Sequence, residues 1–222
     1  MNNLSNNFVA LIPLRGGSKS IHKKNIKLIA GKPLCAWTLE AALASELIDQ
    51  VYVSTDCDEI EDTVQSIDSG VQIIKRPDEL ATDTASTEAV MLHFASQVDF
   101  NNLITIQATS PLLEVLDLER AISQFQVDLC DSMLSAVRCK RFFWQENGQA
   151  INYNPLKRPR RQDFKGILME NGAFYITKRD LLQSSRCRLG GKIGIYEMPD
   201  TTASEIDEPN DWFIVEQLLL NR

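Results

Sequence analysis

Apolar residues along this chain gather in short runs separated by polar punctuation, and the order of run types predicts an α/β fold. Phe8 to Ile12 is an unbroken apolar stretch ended by Pro13, which has no N–H to give to a ladder, so it reads as a buried strand. Val51 to Thr55, Val71 to Ile74, Leu103 to Ile106, Ser132 to Val137, Gly172 to Ile176 and Ile193 to Met198 read as further strands. Between them lie helical stretches: Leu34 to Leu47 behind Pro33, Glu59 to Ser66 ended by Gly70, and Glu88 to Gln97 capped by Ser86 or Thr87. Asp117 to Phe125, Lys178 to Gln183 and an amphipathic Asn210 to Leu220 complete the set. This alternation predicts a mostly parallel sheet with helices on both faces, three layers in all. Asp56, just past the second strand, is read first as the cap of the following helix and second as a ligand contact at the strand's carboxyl edge.

The alternation breaks at about Arg138 and resumes after Glu170. Phe142-Phe143-Trp144, Asn147-Gly148 and Ile151-Asn152-Tyr153 resemble a hairpin with an Asn-Gly turn, and Lys157-Arg158-Pro159-Arg160-Arg161 is a dense basic run. The chain therefore predicts a single domain, residues 1–222, with an inserted β-rich arm at about 138–170. Aromatic residues on an exposed arm predict a protein–protein surface and a homodimer; the alternative is that they pack back onto the core.

Composition narrows the function. The chain has 222 residues, 44% of them hydrophobic, enough for a sizeable core. A net charge of −7 argues against nucleic acid as a partner, so the basic clusters are local features of an acidic protein. No apolar run approaches the ~20 residues of a membrane span. The polar start, Met1 to Asn7, reads as a short disordered leader without the regions of a signal peptide. Five scattered cysteines with no C-x-x-C predict reduced thiols in the cytoplasm, and His22 and His93 have no metal-ligand spacing.

The candidate chemistry starts where the first strand ends. Arg15, Gly16, Gly17, Ser18 and Lys19, followed by Lys23, Lys24 and Asn25, put two glycines among cations at the carboxyl edge of a strand. Glycines let backbone approach a ligand, and cations with free N–H groups converge on an anion, as at the nucleotide sites of α/β sheets. The spacing is neither that of the P-loop nor that of the dinucleotide fingerprint, and an ordinary surface turn is the plainer reading. The helix start at Ser86 or Thr87 is a second natural anion site. Glu205 and Asp207, taken alone, read as a solvated acidic loop before a helix.

Ordered motifs carry a resemblance over nearly the whole chain. Arg15 to Asn25 resembles the signature R-x-G-S-K-x-I-P-x-K-N of N-acylneuraminate (sialic acid) cytidylyltransferases. Val53-Ser54-Thr55-Asp56, Arg76-Pro77 with Asp83 to Thr87, and Gln107 to Leu112 resemble further motifs of that family. Arg160 to Asp163, Asn171 to Tyr175, and Glu205-Ile206-Asp207 with Asp211-Trp212 complete the series. The Gln-Ala-Thr form, the Lys157 to Asp163 run and Leu189-Gly190-Gly191-Lys192 look closest to the animal-type catalytic domain. Animal enzymes typically carry a further C-terminal domain, for which this chain is too short.

The resemblance implies a Rossmann-like nucleotidyltransferase that transfers CMP from CTP to the anomeric hydroxyl of a nonulosonic acid, releases pyrophosphate and uses Mg2+. It implies Arg15, Lys19 and Asp207 as catalytic, and Leu14, Arg15, Gly16, Lys24, Asn25, Arg76 and Thr87 as nucleotide-binding. Gln107, Arg161 and Tyr175 would meet the acceptor sugar, and Asp207 with Glu205 the metal. An arginine suits a substrate carboxylate because guanidinium binds it bidentately. The basic run is assigned to the substrate site rather than to localisation or nucleic acid. Tyr175 reads equally as a packed strand aromatic. The chain departs from the family pattern at Ser20, His22, Leu113 and Glu205, where glycine, proline, arginine and aspartate are common. Activation of KDN, legionaminate, pseudaminate or Kdo is the enzymatic alternative; a catalytically silent nucleotide-binding subunit is the other.

Overall fold

Five apolar residues in a row have no polar face to show, and β1 (Phe8–Pro13) is buried on both sides in the interior of the sheet. The computed structural model describes residues 7–222, so the expected leader, except Asn7, lies outside the described residues. β4 (Gln50–Thr55) lies parallel on one side of β1, with β5 (Gln72–Lys75) beyond it, and β6 (Asn102–Ile106) lies parallel on the other. The chain thus leaves β1 in one direction and returns in the other, which opens a crevice at the carboxyl ends of β1 and β6. β8 (Ile167–Lys178) runs antiparallel between β6 and β7 (Ser132–Cys139), and β9 (Ile193–Met198) closes the edge parallel to β7. The seven strands order as β5-β4-β1-β6-β8-β7-β9.

Alternate side chains of β1 serve opposite layers. Phe8, Ala10 and Ile12 pack with residues of α1 (Leu34–Leu43), α2 (Asp58–Ile67) and α4 (Val115–Val127). Val9 and Leu11 pack with α3 (Thr87–Ala95) and α5 (Arg179–Ser185). α6 (Pro209–Leu220) sends Trp212, Val215 and Leu219 into a third cluster with Ile21, Ile29, Leu34 and Leu112, so it grips the loops after β1 and β6 together. A small hairpin of β2 (Leu28–Ile29) and β3 (Lys32–Pro33) turns at Ala30 and Gly31, whose φ values of 47° and 87° fit a type I′ turn. The three-layer, mostly parallel α/β sheet is as expected.

Differences lie at element ends and in the arm. α1 stops at Leu43, short of Leu47, because the chain must turn for Asp49 N–H to reach Phe8 O at 2.8 Å and enter β4. β7 runs on to Cys139 and β8 starts at Ile167, so the excursion from the sheet spans residues 140–166. The expected β-rich character reduces there to one bridge, Trp144 with Ala150, around a turn at Asn147-Gly148. Side chains hold the remainder: Phe142 packs on Tyr153 and Phe164 at 4.1 and 4.9 Å, and the Arg158 guanidinium lies 4.4 Å from the Phe142 ring centre. These aromatics pack on one another, while Trp144 and Leu156 stay exposed. β8 also carries a large bulge: Leu134 pairs with Tyr175 but Ala136 with Glu170, so β7 advances two residues while β8 advances five.

Candidate functional site

Leu14 anchors the loop after β1. Its side chain is buried in the core and its N–H donates to Ser54 O at 2.9 Å. Asn25, also buried, closes the loop by donating from Nδ2 to Arg15 O at 2.9 Å. Between them Gly16 donates its N–H to Asp56 Oδ1 at 2.9 Å, and a Cβ on Gly16 would sit 2.8 Å from that of Cys57, so only glycine fits. This corrects the reading of Asp56 as a helix cap. Cys57 holds the N-cap position of α2 without a side-chain bond, and Asp56, one residue earlier, ties down the glycine loop instead.

Arg15 Nη1 lies 2.8 Å from Asp83 Oδ1 and Lys19 Nζ lies 2.7 Å from Asp83 Oδ2. One carboxylate thus bridges two cations, and Lys19 first, with Arg15, holds the Asp83 carboxyl below its ordinary range. Arg76, buried at the end of β5, donates to Ser54 O and Ser54 Oγ at 2.6 and 3.2 Å. Burial lowers its pKa to about 10, with Asp56 opposing, so it stays charged at neutral pH. Ser86 caps α3, accepting from Ala89 N–H at 3.1 Å as expected, and Thr87 is that helix's first residue. Arg15, Lys24, Asn25, Arg76, Thr87 and Gln107 all line one cavity of about 260 Å³ at the crevice, together with Asp83 and Thr109. Gln107 is fixed at the end of β6 by its N–H bond to Ala173 O at 3.0 Å, inside the bulge of β8.

The acidic loop is held against this cavity by three ties. Ile206 is buried and its N–H donates to Thr109 O at 2.8 Å. Ser20 Oγ donates to Asp207 O at 2.5 Å, and Lys24 Nζ reaches Ile206 O at 3.0 Å and Asp207 Oδ1 at 3.4 Å. Asp211 is spent on structure, accepting from the N–H groups of Asp207 and Glu208 at the start of α6. Burial, and then the charge of Asp207, push the Glu205 carboxyl above its ordinary range. Two mutually repelling carboxylates beside a phosphate-sized cleft form a donor set that a divalent cation would relieve. Among the described residues no group of three His, Cys, Asp or Glu side chains could hold a metal. Such a two-carboxylate set fits Mg2+, which prefers oxygen ligands and keeps waters or phosphate oxygens.

The other expected acceptor residues stand apart. Tyr175 is a buried strand residue whose hydroxyl donates to Glu170; burial, then Glu170, raises its pKa, so the phenol keeps its proton. Arg161 lies exposed on the arm and does not line the cavity of its own chain. Asp83 and the Ile206–Thr109 tie were not among the sequence candidates. Asp83 stands in the motif from Asp83 to Thr87 but was given no role there, and the second is a backbone bond with no side-chain signal.

Comparison with known proteins shows the family and the fold. The pattern of one protein family, described as cytidylyltransferase, matches residues 9–213. N-acylneuraminate cytidylyltransferase A of Danio rerio is 38% identical, over 97% of this chain and 51% of the relative. N-acylneuraminate cytidylyltransferase of Oncorhynchus mykiss is 40% identical, over 95% of this chain and 50% of the relative. The chain thus spans about half the length of these curated relatives. A solved CMP:2-keto-3-deoxy-manno-octonic acid synthetase complexed with CTP superposes with a TM-score of 0.73 at 22% identity, covering 97% of this chain and 99% of that one. A 4-diphosphocytidyl-2C-methyl-D-erythritol synthase from Anaerococcus prevotii gives 0.70 at 13%, covering 97% and 96%. At such identities the two structures speak for the fold.

Proposed function

Because the chain belongs to the cytidylyltransferase family, we propose that it transfers CMP from CTP to the anomeric hydroxyl of a nonulosonic acid, N-acetylneuraminate or a close relative, and releases pyrophosphate. The observation that carries this reading is the convergence of Arg15, Lys24 and Arg76 on one cavity at the sheet's switch point, with Lys19 at its rim through Asp83.

In this reading Arg15 and Lys19 exchange Asp83 for the triphosphate and neutralise charge that builds on the leaving pyrophosphate. Lys24, Asn25, Leu14 and Gly16 shape the phosphate side through the loop's backbone. Arg76 and Thr87 hold the cytidine portion, and Gln107 orients the acceptor for in-line attack of its hydroxyl on the α-phosphorus. Asp207 would hold Mg2+ directly and Glu205 through water; when bound, the ion supplies charge to neutralise the phosphate oxygens. The exposed arm supports a homodimer. Arg161 then meets a substrate carboxylate by reaching the cleft of the neighbouring copy, since it stands clear of its own. Five free thiols support a reducing cytoplasmic setting. No helix among the described residues is long and apolar enough to cross a membrane.

The test is pyrophosphate release from CTP with a panel of keto sugar acids. Release with N-acetylneuraminate that depends on added Mg2+ is expected. Release only with KDN, legionaminate, pseudaminate or Kdo reassigns the acceptor. CTP binding with no release for any acid makes the chain a silent nucleotide-binding subunit.

A further inference from the structure

Arg188, in the connection from α5 to β9, is built into the molecule more firmly than any surface arginine needs to be. Thr177 Oγ1 donates to its backbone carbonyl at 2.8 Å, and its guanidinium lies 4.2 Å from the centre of the Tyr175 ring. Its side chain is only 26% exposed. The closest contact of its one ion pair is Nε to Glu88 Oε1 at 3.4 Å, and its two terminal nitrogens make no hydrogen bond among the described residues. A guanidinium that is positioned, mostly covered and open at its fork is prepared for a planar acceptor of two hydrogen bonds.

Its neighbours place it on the acceptor side. Glu88 follows Thr87, which lines the cavity with Gln107. Tyr175 bonds Glu170 and belongs to the strand whose bulge receives the Gln107 N–H. Arg188 therefore touches the residue that follows cavity-lining Thr87 and a residue of β8, which lies across β6 from β1 and its phosphate loop. The reacting hydroxyl and the acceptor's carboxylate share one carbon, so both must lie at the phosphate end. The part of the acceptor that extends toward Arg188 carries hydroxyls and, in N-acylated acids, an amide carbonyl. Glu88 and Glu170 suit the hydroxyls, and the open guanidinium suits the carbonyl.

We infer that Arg188 is a specificity-determining residue that selects acceptors bearing an acyl-amide substituent, by donating to its carbonyl; this rests on the nonulosonate reading above. The experiment compares N-acetylneuraminate with its deaminated counterpart KDN, using wild type, Arg188→Met and Arg188→Lys. The expected result is a fall of about ten- to a hundredfold in kcat/KM for N-acetylneuraminate relative to KDN in both variants, with KM for CTP unchanged. Lysine keeps the charge but not the fork, so a wild-type ratio in Arg188→Lys overturns the inference. Equal losses on both acceptors also overturn it and mark a structural role. If the wild type activates neither acid, the N-acetylneuraminate reading on which the inference rests has failed and the inference falls with it; if it activates them and the ratio does not move, only Arg188 has.

Discussion

Lys19 and Arg15 share the Asp83 carboxylate at 2.7 and 2.8 Å and Lys24 meets Asp207 at 3.4 Å, whereas Arg161 pairs with no carboxylate among the described residues and Arg188 meets Glu88 through Nε at 3.4 Å, with no hydrogen bond from its terminal nitrogens. The first three cations lie at the carboxyl ends of β1 and its neighbours, the other two on the β8-β7-β9 side. A cleft shaped for a polyanion concentrates cations that repel one another before the ligand arrives, and Asp83 and Asp207 relieve that repulsion. A lone guanidinium for a neutral or singly charged group tolerates water as its partner. Under the proposed function, paired cations would mark the triphosphate side and guanidiniums with unbonded termini the acceptor side.

The most severe way to break this contrast is Arg15→Ala. Turnover should fall about 10²–10³-fold, with little change in melting temperature, because the pair it loses is exposed. A variant that keeps more than about half of the wild-type rate would remove Arg15 from the phosphate site.

Asp207→Asn and Glu205→Gln sharpen it next. In a Mg2+ titration of rate, Asp207→Asn should lose about a hundredfold and Glu205→Gln about tenfold. The reverse order would reassign the inner ligand. Melts separate the two roles further. The folded state raises the Glu205 pKa, so it binds that proton more tightly than the unfolded chain does. That contribution favours folding at low pH and is lost as pH rises from the ordinary value of 4.5 through the raised one. Glu205→Gln should therefore melt higher than wild type at pH ~7, with the gap closing toward pH ~4.

The arm carries an intermediate effect. Wild type at micromolar concentration should sediment at twice 25.0 kDa, and Trp144→Ala combined with Leu156→Asp should shift it toward the single mass. A wild type that sediments only at 25.0 kDa refutes the dimer. The smallest effect belongs to Asp83→Asn. With the placeholder charge removed, KM for CTP should fall about two- to fivefold at constant kcat. A rise in KM would mean that Asp83 organises the loop rather than competing for its cations.

The same contrast explains what the sequence revealed. The β1 loop and the Ser86 cap announced themselves because each is a side-chain type at a strand or helix end, where local rules apply, whereas Arg76 and Gln107 came only from the ordered motifs of the resemblance. β8 did not. Its length and antiparallel direction depend on which strands it finds, and only Gly172 to Ile176 look apolar enough to be read as strand. Asp56 was misread because a cap and a loop tie call for the same residue one position apart. Arg188 carried no signal at all, since its setting comes from Thr177, Tyr175 and Glu88, which only the folded sheet brings together.

The bulge at Asn171 to Ala173 makes β8 two rods joined end to end. The arm-side rod, Ile167 to Glu170, is bonded to β7 alone, while the inner rod, Phe174 to Lys178, is clamped by β6. The joint is Gly172, at φ +67°, and a Cβ there would stand 3.3 Å from Glu205 Oε2. Gly172 thus joins the arm to the sheet beside a carboxylate proposed for the metal, one residue before the carbonyl that holds Gln107. The arm proposed for assembly and a carboxylate proposed for the metal thus meet at one glycine.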